Sequence, residues 1–269
     1  YLMIYFLLLL LGFIAGIASG LFGIGGGVII VPSLITITGF SQLMANGTSL
    51  AALLLPVGMF AVIVYYHAKR LYLPASLAIA LGLAAGAAFG AFVALDLPSL
   101  VLKRLYGVFL FYVGLRFLAP WVLVRLVFQQ NDRKEKGDRK EVEHLPRKGA
   151  KYLPLYLSLG FVAGITSGLF GIGGGAIIVP LLVTAFHLSP KEAVGTSLGA
   201  LLLPVGLPGV LVYYQSGSLS IVYAACVAFG LMAGAFFGAK TSIKLPAGVI
   251  KHLYGAFLLI IAVYFVFQP

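Results

Sequence analysis

Charged residues and cysteine are both scarce in this 269-residue chain, and each shortage excludes a class of protein. Charged side chains make up 9% of the sequence, against roughly 25% in an average soluble domain. Hydrophobic residues make up 61% and the mean hydropathy is +1.10, so the sequence predicts an all-α polytopic membrane protein. The single cysteine, Cys226, excludes an internal disulfide and is expected to be a small apolar residue.

Acidic residues are scarcer still outside one short stretch. The chain has seven of them, and only Asp96 and Glu192 lie outside the segment between residues 129 and 151. This shortage argues against a relay of carboxylates that carries protons through the membrane. No HExxH motif and no serine–histidine arrangement is present, and the four histidines lie apart near segment ends. We therefore predict no catalytic residue, no metal site, no cofactor and no enzymatic activity.

One sequence unit is present twice in the chain. Residues 12–32 return at 160–180 with 18 of 21 positions identical, and the offset of 148 then holds through the rest of each copy. Two copies of one unit in a very apolar chain are typical of transporters built from internal repeats. We predict a first transmembrane repeat over 1–127, a charged linker over 128–151 and a second transmembrane repeat over 152–269, with the function made between the repeats.

The linker carries most of the charge of the chain. It contains eight Lys/Arg and five acidic residues and almost nothing apolar, which is typical of a solvated segment. Binding to lipid headgroups is the alternative, and the mixed signs of its charges favour the plain linker. Its excess of Lys/Arg predicts a cytoplasmic location, in a multi-pass protein of the cell inner membrane. The lipid bilayer is an expected partner, and no nucleic-acid partner is expected.

Equivalent loops of the two repeats carry opposite charge bias. The first repeat has a basic loop at His67–Arg70, whereas residues 215–218 are uncharged. One loop later the bias reverses, with Asp96 in the first repeat and Lys240 and Lys244 in the second. Because cytoplasmic loops attract Lys/Arg, this reversal predicts that the two repeats are inverted in the membrane.

The first apolar run is too long to be one straight span. Residues 1–38 would form a helix about 57 Å long, nearly twice the thickness of a hydrocarbon core. We predict a break at Gly25–Gly27, as a re-entrant hairpin or as two short spans. Each repeat then crosses an odd number of times, both chain ends are extracytoplasmic, and about 8–10 transmembrane or half-spanning helices result.

The doubled glycine cluster is the first candidate site. A phosphate-binding turn of a soluble nucleotide-binding fold is excluded because no strand precedes the glycines. Free backbone N–H groups and the positive end of the short helix that starts near Val28 or Ala176 still favour an anion. The alternative is that the glycines only permit a tight hairpin. The predicted substrate-binding glycines are Gly25, Gly26, Gly27, Gly173, Gly174 and Gly175.

Polar residues early in the next apolar run are the second candidate site. We predict that their side chains donate to a bound oxyanion. The alternative is that the hydroxyls bond back to the carbonyl four residues earlier in their own helix. The first repeat has an asparagine where the second has Val194, so the site need not be symmetric. The predicted residues are Asn46, Thr48, Ser49, Thr196 and Ser197.

Other recurrent residues have structural interpretations. Ser41 and Ser189 are predicted helix N-caps, and Ser189 with Glu192 fits a capping box. Paired tyrosines near helix ends are predicted to be interfacial aromatics: Tyr65, Tyr66, Tyr213 and Tyr214. Glycines spaced by four predict surfaces where helices approach closely. They form three ladders: Gly12, Gly16 and Gly20; Gly82, Gly86 and Gly90; and Gly230, Gly234 and Gly238.

The doubled SGLFGIGGGxIIVP and GTSLxALLLPVG motifs resemble those of the sulfite exporter TauE/SafE family. The resemblance covers both repeats, apart from the linker. It implies a secondary transporter that moves a small sulfur-containing anion (sulfite, sulfoacetate or another sulfonate) across the cytoplasmic membrane. We predict alternating access, with a passive anion channel or a non-transport membrane scaffold as alternatives. The sequence does not specify a coupling ion or an oligomeric state.

Overall fold

The structure, a computed structural model, is all-helical wherever it describes the chain. It describes residues 2–23, 25–54, 58–118 and 149–242, and the single positions 259 and 263. In these ranges there are eleven α-helices and one 3-10 turn, and no strand. The predicted all-α fold is confirmed. Lys244 and all of the linker except residues 149–151 lie outside the described residues.

The helices of the two repeats correspond one to one. In the first repeat, five helices have a copy: α1 Leu2–Phe22, α2 Gly27–Thr38, α3 Gln42–Ala52, α4 Met59–His67 and α5 Leu73–Asp96. A sixth helix, α6 Ser99–Leu118, ends the described part of this repeat. The second repeat has α7 Leu153–Phe170, α8 Gly175–Thr184, α9 Pro190–Leu202, α10 Leu207–Gln215 and α11 Ile221–Ser242.

Four of these helices are long and apolar enough to cross a membrane, which makes this a multi-pass membrane protein. They lie at Met3–Phe22, Leu73–Asp96, Leu153–Phe170 and Ile221–Thr241. A fifth span results if α9 and α10, bent by 49° at the break between them, are counted together. Large apolar side chains on these helices remain exposed, as expected for surfaces that face lipid.

The glycine clusters break the first apolar run of each repeat, as predicted. Helix α1 ends at Phe22 and α2 begins at Gly27. Between them the backbone enters the left-handed region, with φ of 69° at Gly23, 86° at Gly25 and 81° at Gly26. This region is unfavourable for residues that have a Cβ atom. The second repeat does the same before α8 begins at Gly175.

The glycine ladders hold two helix pairs together, and each pair joins one repeat to the other. Helix α1 packs along α11, and α5 packs along α7. A Cβ atom on Gly12 would overlap the carbonyl of Val227, and one on Gly16 would overlap that of Leu231. Residue numbers increase in the same direction along the two contacting helices, so the paired helices run parallel. The close-packing prediction is confirmed, and α7 adds a reciprocal ladder of Gly160, Gly164 and Gly168.

The two repeats are therefore interleaved. Helix α3 contacts α10 and α11, while its copy α9 contacts α4 and α5. Helices α2 and α8 instead pack mainly on neighbours from their own repeat, α3 and α9 respectively. The core between the repeats is consequently made of residues that are far apart in sequence. The sequence boundaries of the two repeats stay a prediction.

Contacts at the helix ends bear on the predicted inversion. Gly23, after the end of α1, bonds to Ser197, and the neighbouring Thr196 bonds to Tyr72 before the start of α5. Tyr72 in turn lies beside Tyr156, near the start of α7. Antiparallel copies would make these contacts. The inversion itself stays a prediction.

Local details confirm some sequence interpretations and correct one. Ser41 and Ser189 are N-caps, and Ser189 forms a capping box with Glu192. The interfacial interpretation is wrong for Tyr65 and Tyr213, which are buried. Their hydroxyls reach inward to donate to glycine carbonyls of α1 and α7. Their neighbours Tyr66 and Tyr214 are exposed.

Candidate functional site

A small cavity lies where the two glycine turns meet. Gly25 and Gly173 line it from opposite repeats, and a Cβ atom on either one would lie within 4 Å of the Cα atom of the other. Most of the lining comes in equivalent pairs, so the cavity lies between the repeats. The pairs are Ser19 with Ser167, Gly25 with Gly173, Leu50 with Leu198, Leu53 with Leu201 and Gly58 with Gly206, and Leu83 and Val205 complete the wall.

The cavity is narrow in this conformation. The cavity offers about 30 Å³ in which the centre of a water molecule can lie. One water molecule needs roughly 10–15 Å³ on the same measure, so the space holds about two. A polyatomic anion therefore requires the wall to move apart. Four of the paired wall residues are leucines, so much of the described wall is apolar.

Two serine hydroxyls are the polar side chains of the cavity wall. Ser19 is 3% exposed and Ser167 is fully buried. The Oγ atom of Ser167 has no hydrogen-bond partner. A hydroxyl buried without a partner is uncommon, because its desolvation costs about 1–3 kcal/mol. An acceptor that enters the cavity would satisfy it.

These serines were missed as binding residues by the sequence interpretation, although both belong to the doubled motif. Each lies next to a glycine of a packing ladder, Gly20 or Gly168. In the sequence, a serine next to such a glycine cannot be distinguished from a small residue that only lets two helices pack closely. Their recurrence at the same offset as the glycines was the available signal.

The predicted glycines occupy three different positions around the cavity. Gly25 and Gly173 line it. Gly26 and Gly174 are the left-handed N-caps of α2 and α8. Gly27 and Gly175 are the first residues of those helices, and Gly27 lies against the backbone of Ile172 in the other repeat. The first N–H groups of a helix have no partner within it, so two sets of donors start within two residues of the cavity.

The predicted hydroxyls lie beside the cavity and bond across the repeats. Ser49 donates to the carbonyl of Gly171 at 2.7 Å, and Ser197 donates to that of Gly23 at 3.0 Å. The alternative of back-bonding within their own helix is wrong for these two serines. Each bond ties one repeat to the glycine turn of the other.

The two threonines make a matching pair of contacts. Thr48 accepts from the N–H of Ser220 at 3.1 Å, and Thr196 accepts from that of Tyr72 at 3.2 Å. Both side chains are fully buried, and neither lines the cavity. Their role as substrate donors stays a prediction. We call these four bonds, from Ser49, Ser197, Thr48 and Thr196, the cross-repeat latch.

Asn46 gives the latch an additional bond on one side. Its Nδ2 donates to the carbonyl of Leu169 at 2.7 Å, and its Oδ1 accepts from Gln42 at 3.0 Å. The equivalent residues of the second repeat are Val194 and Pro190, which cannot make these bonds. Asn46 thus adds a polar contact to α7 just before the glycine turn of the second repeat.

No charged side chain is among the residues that line the cavity. In the described ranges, each charged residue with a described side chain is exposed or half-buried. No group of three or more His, Cys, Asp or Glu there has a geometry that would hold a metal ion. The chemistry offered by the described wall is hydrogen-bond donation and helix-end dipoles in an apolar surround.

Comparison with known proteins gives a consistent family assignment. The family model described as "Sulfite exporter TauE/SafE" matches residues 8–265. The chain is 27% identical over 278 residues to a protein of Bacillus subtilis named "Probable membrane transporter protein YunE", covering 99% of this chain and 98% of that protein. It is 28% identical over 278 residues to a "Probable membrane transporter protein" of Haemophilus influenzae, covering 96% of each chain. No solved structure matches significantly.

Proposed function

The chain belongs to the sulfite exporter TauE/SafE family, and from this premise we propose that it moves a small sulfur-containing anion across the cell inner membrane by alternating access. Sulfite, sulfoacetate and other sulfonates are the substrate class. The relatives are named as membrane transporters, and the chain is a membrane transporter. The substrate and the mechanism are the proposed part.

One observation carries the substrate class. The starts of α2 and α8 and the hydroxyls of Ser19 and Ser167 converge on one cavity between the repeats. Helix N-termini favour anions through their free N–H groups and their dipoles. A buried hydroxyl adds a neutral donor that fits an oxyanion. Together these groups offer hydrogen-bond donors to the ligand.

The cross-repeat latch supports the proposed mechanism. Its bonds occur in equivalent pairs and hold each glycine turn to the other repeat. In alternating access the repeats rock against each other around a fixed site, which requires such bonds to break on one side at a time. We propose that Thr48, Ser49, Thr196 and Ser197 reach the anion when their latch bonds open, and that Asn46 contributes on its own side.

The proposal includes the surroundings of the protein. Lipid is its solvent, and linker 128–151 is cytoplasmic by its excess of Lys/Arg. The inverted repeats then give both aqueous sides an equivalent entrance to the site.

Counterflow in proteoliposomes tests the function. Vesicles that contain the purified protein are loaded with unlabelled sulfite or a sulfonate, and the entry of labelled anion is followed against protein-free vesicles. Saturable exchange supports the carrier. Flux that neither saturates nor shows counterflow indicates a channel instead. Absence of flux from correctly oriented protein contradicts the proposal and favours the scaffold.

A further inference from the structure

We propose that the cavity selects anions by charge and takes monovalent oxyanions in preference to divalent ones. This inference rests on the proposed function and narrows its substrate class. The preferred substrates are then sulfonates with one negative charge and hydrogensulfite. The disfavoured ones are the sulfite dianion, sulfate, and sulfoacetate, which carries a second charge on its carboxylate.

The charge available at the site comes from two helix ends. Helices α2 and α8 begin two residues after the cavity-lining Gly25 and Gly173. Each helix N-terminus is equivalent to about +0.5 elementary charge. Two of them supply about +1, which balances one negative charge and leaves the second charge of a dianion uncompensated.

The described part of the cavity wall supplies no further positive charge. Its twelve lining residues are serine, glycine, leucine and valine. The charged side chains described on α4, α5, α6, α9 and α11 are all exposed or half-buried and line no part of it: His67 on α4, Asp96 on α5, Lys103 and Arg104 on α6, Lys191 and Glu192 on α9, and Lys240 on α11. From the residues that the structure describes, an anion in the cavity is therefore met by dipoles and neutral donors.

Dehydration makes the difference between one charge and two large. The cost of moving an ion from water into an apolar medium rises with the square of its charge, so a dianion costs about four times as much as a monoanion of equal size. The neutral, fully buried Ser167 hydroxyl, whose Oγ atom has no partner, contributes one hydrogen bond to either ion. This hydroxyl favours a hydrogen-bond acceptor in the cavity, but it adds no positive charge to balance the second negative charge of a dianion.

Exchange measurements with anions of similar size test the charge rule. Proteoliposomes with the full chain are loaded with methanesulfonate, a monoanion, or with sulfate, a dianion, and counterflow of each is measured at constant ionic strength. We expect sulfate exchange to be at least about tenfold slower, which corresponds to about 1.4 kcal/mol. Sulfate exchange as fast as that of methanesulfonate would overturn the inference and leave the transporter proposal standing. No exchange of any anion, sulfite included, would overturn both.

The pH dependence gives a second readout within the same vesicles. Sulfite exchange is expected to fall as the pH rises through the range in which hydrogensulfite loses its proton. Methanesulfonate stays a monoanion and none of the described lining residues is titratable, so its exchange is expected to change little. Sulfite exchange that rises with pH while methanesulfonate exchange stays constant would contradict the charge rule.

A charge introduced into the wall links the selectivity to this cavity. Leu201 is half-buried and lines it. Leu201→Lys is expected to raise the ratio of sulfate to methanesulfonate exchange at least about tenfold above that of the native chain. Unchanged selectivity in a folded Leu201→Lys protein would show that charge is selected elsewhere.

Discussion

At the scale of single residues, the unpaired hydroxyl of Ser167 is the most direct probe of the site. We expect Ser167→Ala to raise the KM for anion exchange about 10- to 100-fold, because a hydrogen bond to a charged group contributes about 1.5–3 kcal/mol. Folding should be unaffected, since the native Oγ atom has no partner to lose. The measurement is the concentration dependence of counterflow.

Ser158 provides the control on the same helix. It is exposed and its hydroxyl donates to the carbonyl of Leu155. Ser158→Ala is expected to keep the KM of the native chain. Equal KM values for Ser167→Ala and Ser158→Ala would remove Ser167 from the site.

Thr48 tests the latch, also at the scale of one residue. Thr48→Val leaves the N–H of Ser220 without its acceptor, which is expected to cost about 1–3 kcal/mol of stability in this conformation. Thr48→Ser keeps the oxygen and should behave much like the native chain. Thermal unfolding in detergent, together with the exchange rate, compares the two variants. A Val variant as stable as the Ser variant would argue against the latch.

Much of the residue-scale chemistry was predictable because it depends on neighbours in sequence. The helix starts at Gly27 and Gly175 and the cap at Ser189 follow from local rules about glycine and serine. The partner of Ser49 was not predictable, because Gly171 is 122 residues away. A serine or threonine in an apolar helix looks the same in the sequence whether its hydroxyl bonds within the helix, to the other repeat or to a substrate.

At the scale of helices, the glycine ladders determine how closely the paired spans approach. A Cβ atom at Gly164 would overlap the carbonyl of Leu83, and backbone cannot swing aside as a side chain can. We expect Gly164→Leu to destabilise the protein by about 3 kcal/mol or more, beyond the usual cost of overpacking. Thermal unfolding of the purified protein measures this loss.

Gly149→Ala is the control for that substitution. No atom lies within 4 Å of a Cβ built at Gly149, so its change should shift the unfolding temperature little. If the Gly164→Leu protein unfolds at the same temperature as the Gly149→Ala protein, close backbone packing at Gly164 is contradicted.

Spacing predicted the ladders but not their partners. A repeat of glycine every fourth residue shows that a helix face is flat and meets another backbone closely. The glycine spacing does not indicate which helix supplies that backbone. The parallel pairing of α1 with α11 and of α5 with α7 is set by the packing of the whole molecule.

At the scale of the whole molecule, the predicted inversion makes a simple topological test possible. Lys69 and Ser216 lie in equivalent loops of the two repeats. We expect Lys69→Cys and Ser216→Cys, each in a Cys226→Ala background, to react with membrane-impermeant reagents from opposite sides. The same reagent applied to intact cells and to inverted vesicles gives the answer, and labelling from one common side would overturn the inversion.

The inversion is predicted from loop charges in the sequence, whereas the interleaving of the repeats could not be predicted from it. Charge bias reports which side of the membrane a loop occupies, and Asp96 and Lys240 differ accordingly. Interleaving depends on contacts between α1 and α11, whose residues are more than 200 positions apart. The cavity follows from that interleaving, so its wall was only partly predictable.

The pairing of α1 with α11 also sets an order of events during synthesis. Helix α1 ends at Phe22 and α11 begins at Ile221, so 199 residues separate the emergence of one from that of the other. At about 5–20 residues per second, α1 waits roughly 10–40 s for its partner. Its glycine face spends that time in the bilayer with no native backbone against it. Any chain that terminates before Ile221 keeps that face open for as long as the fragment exists.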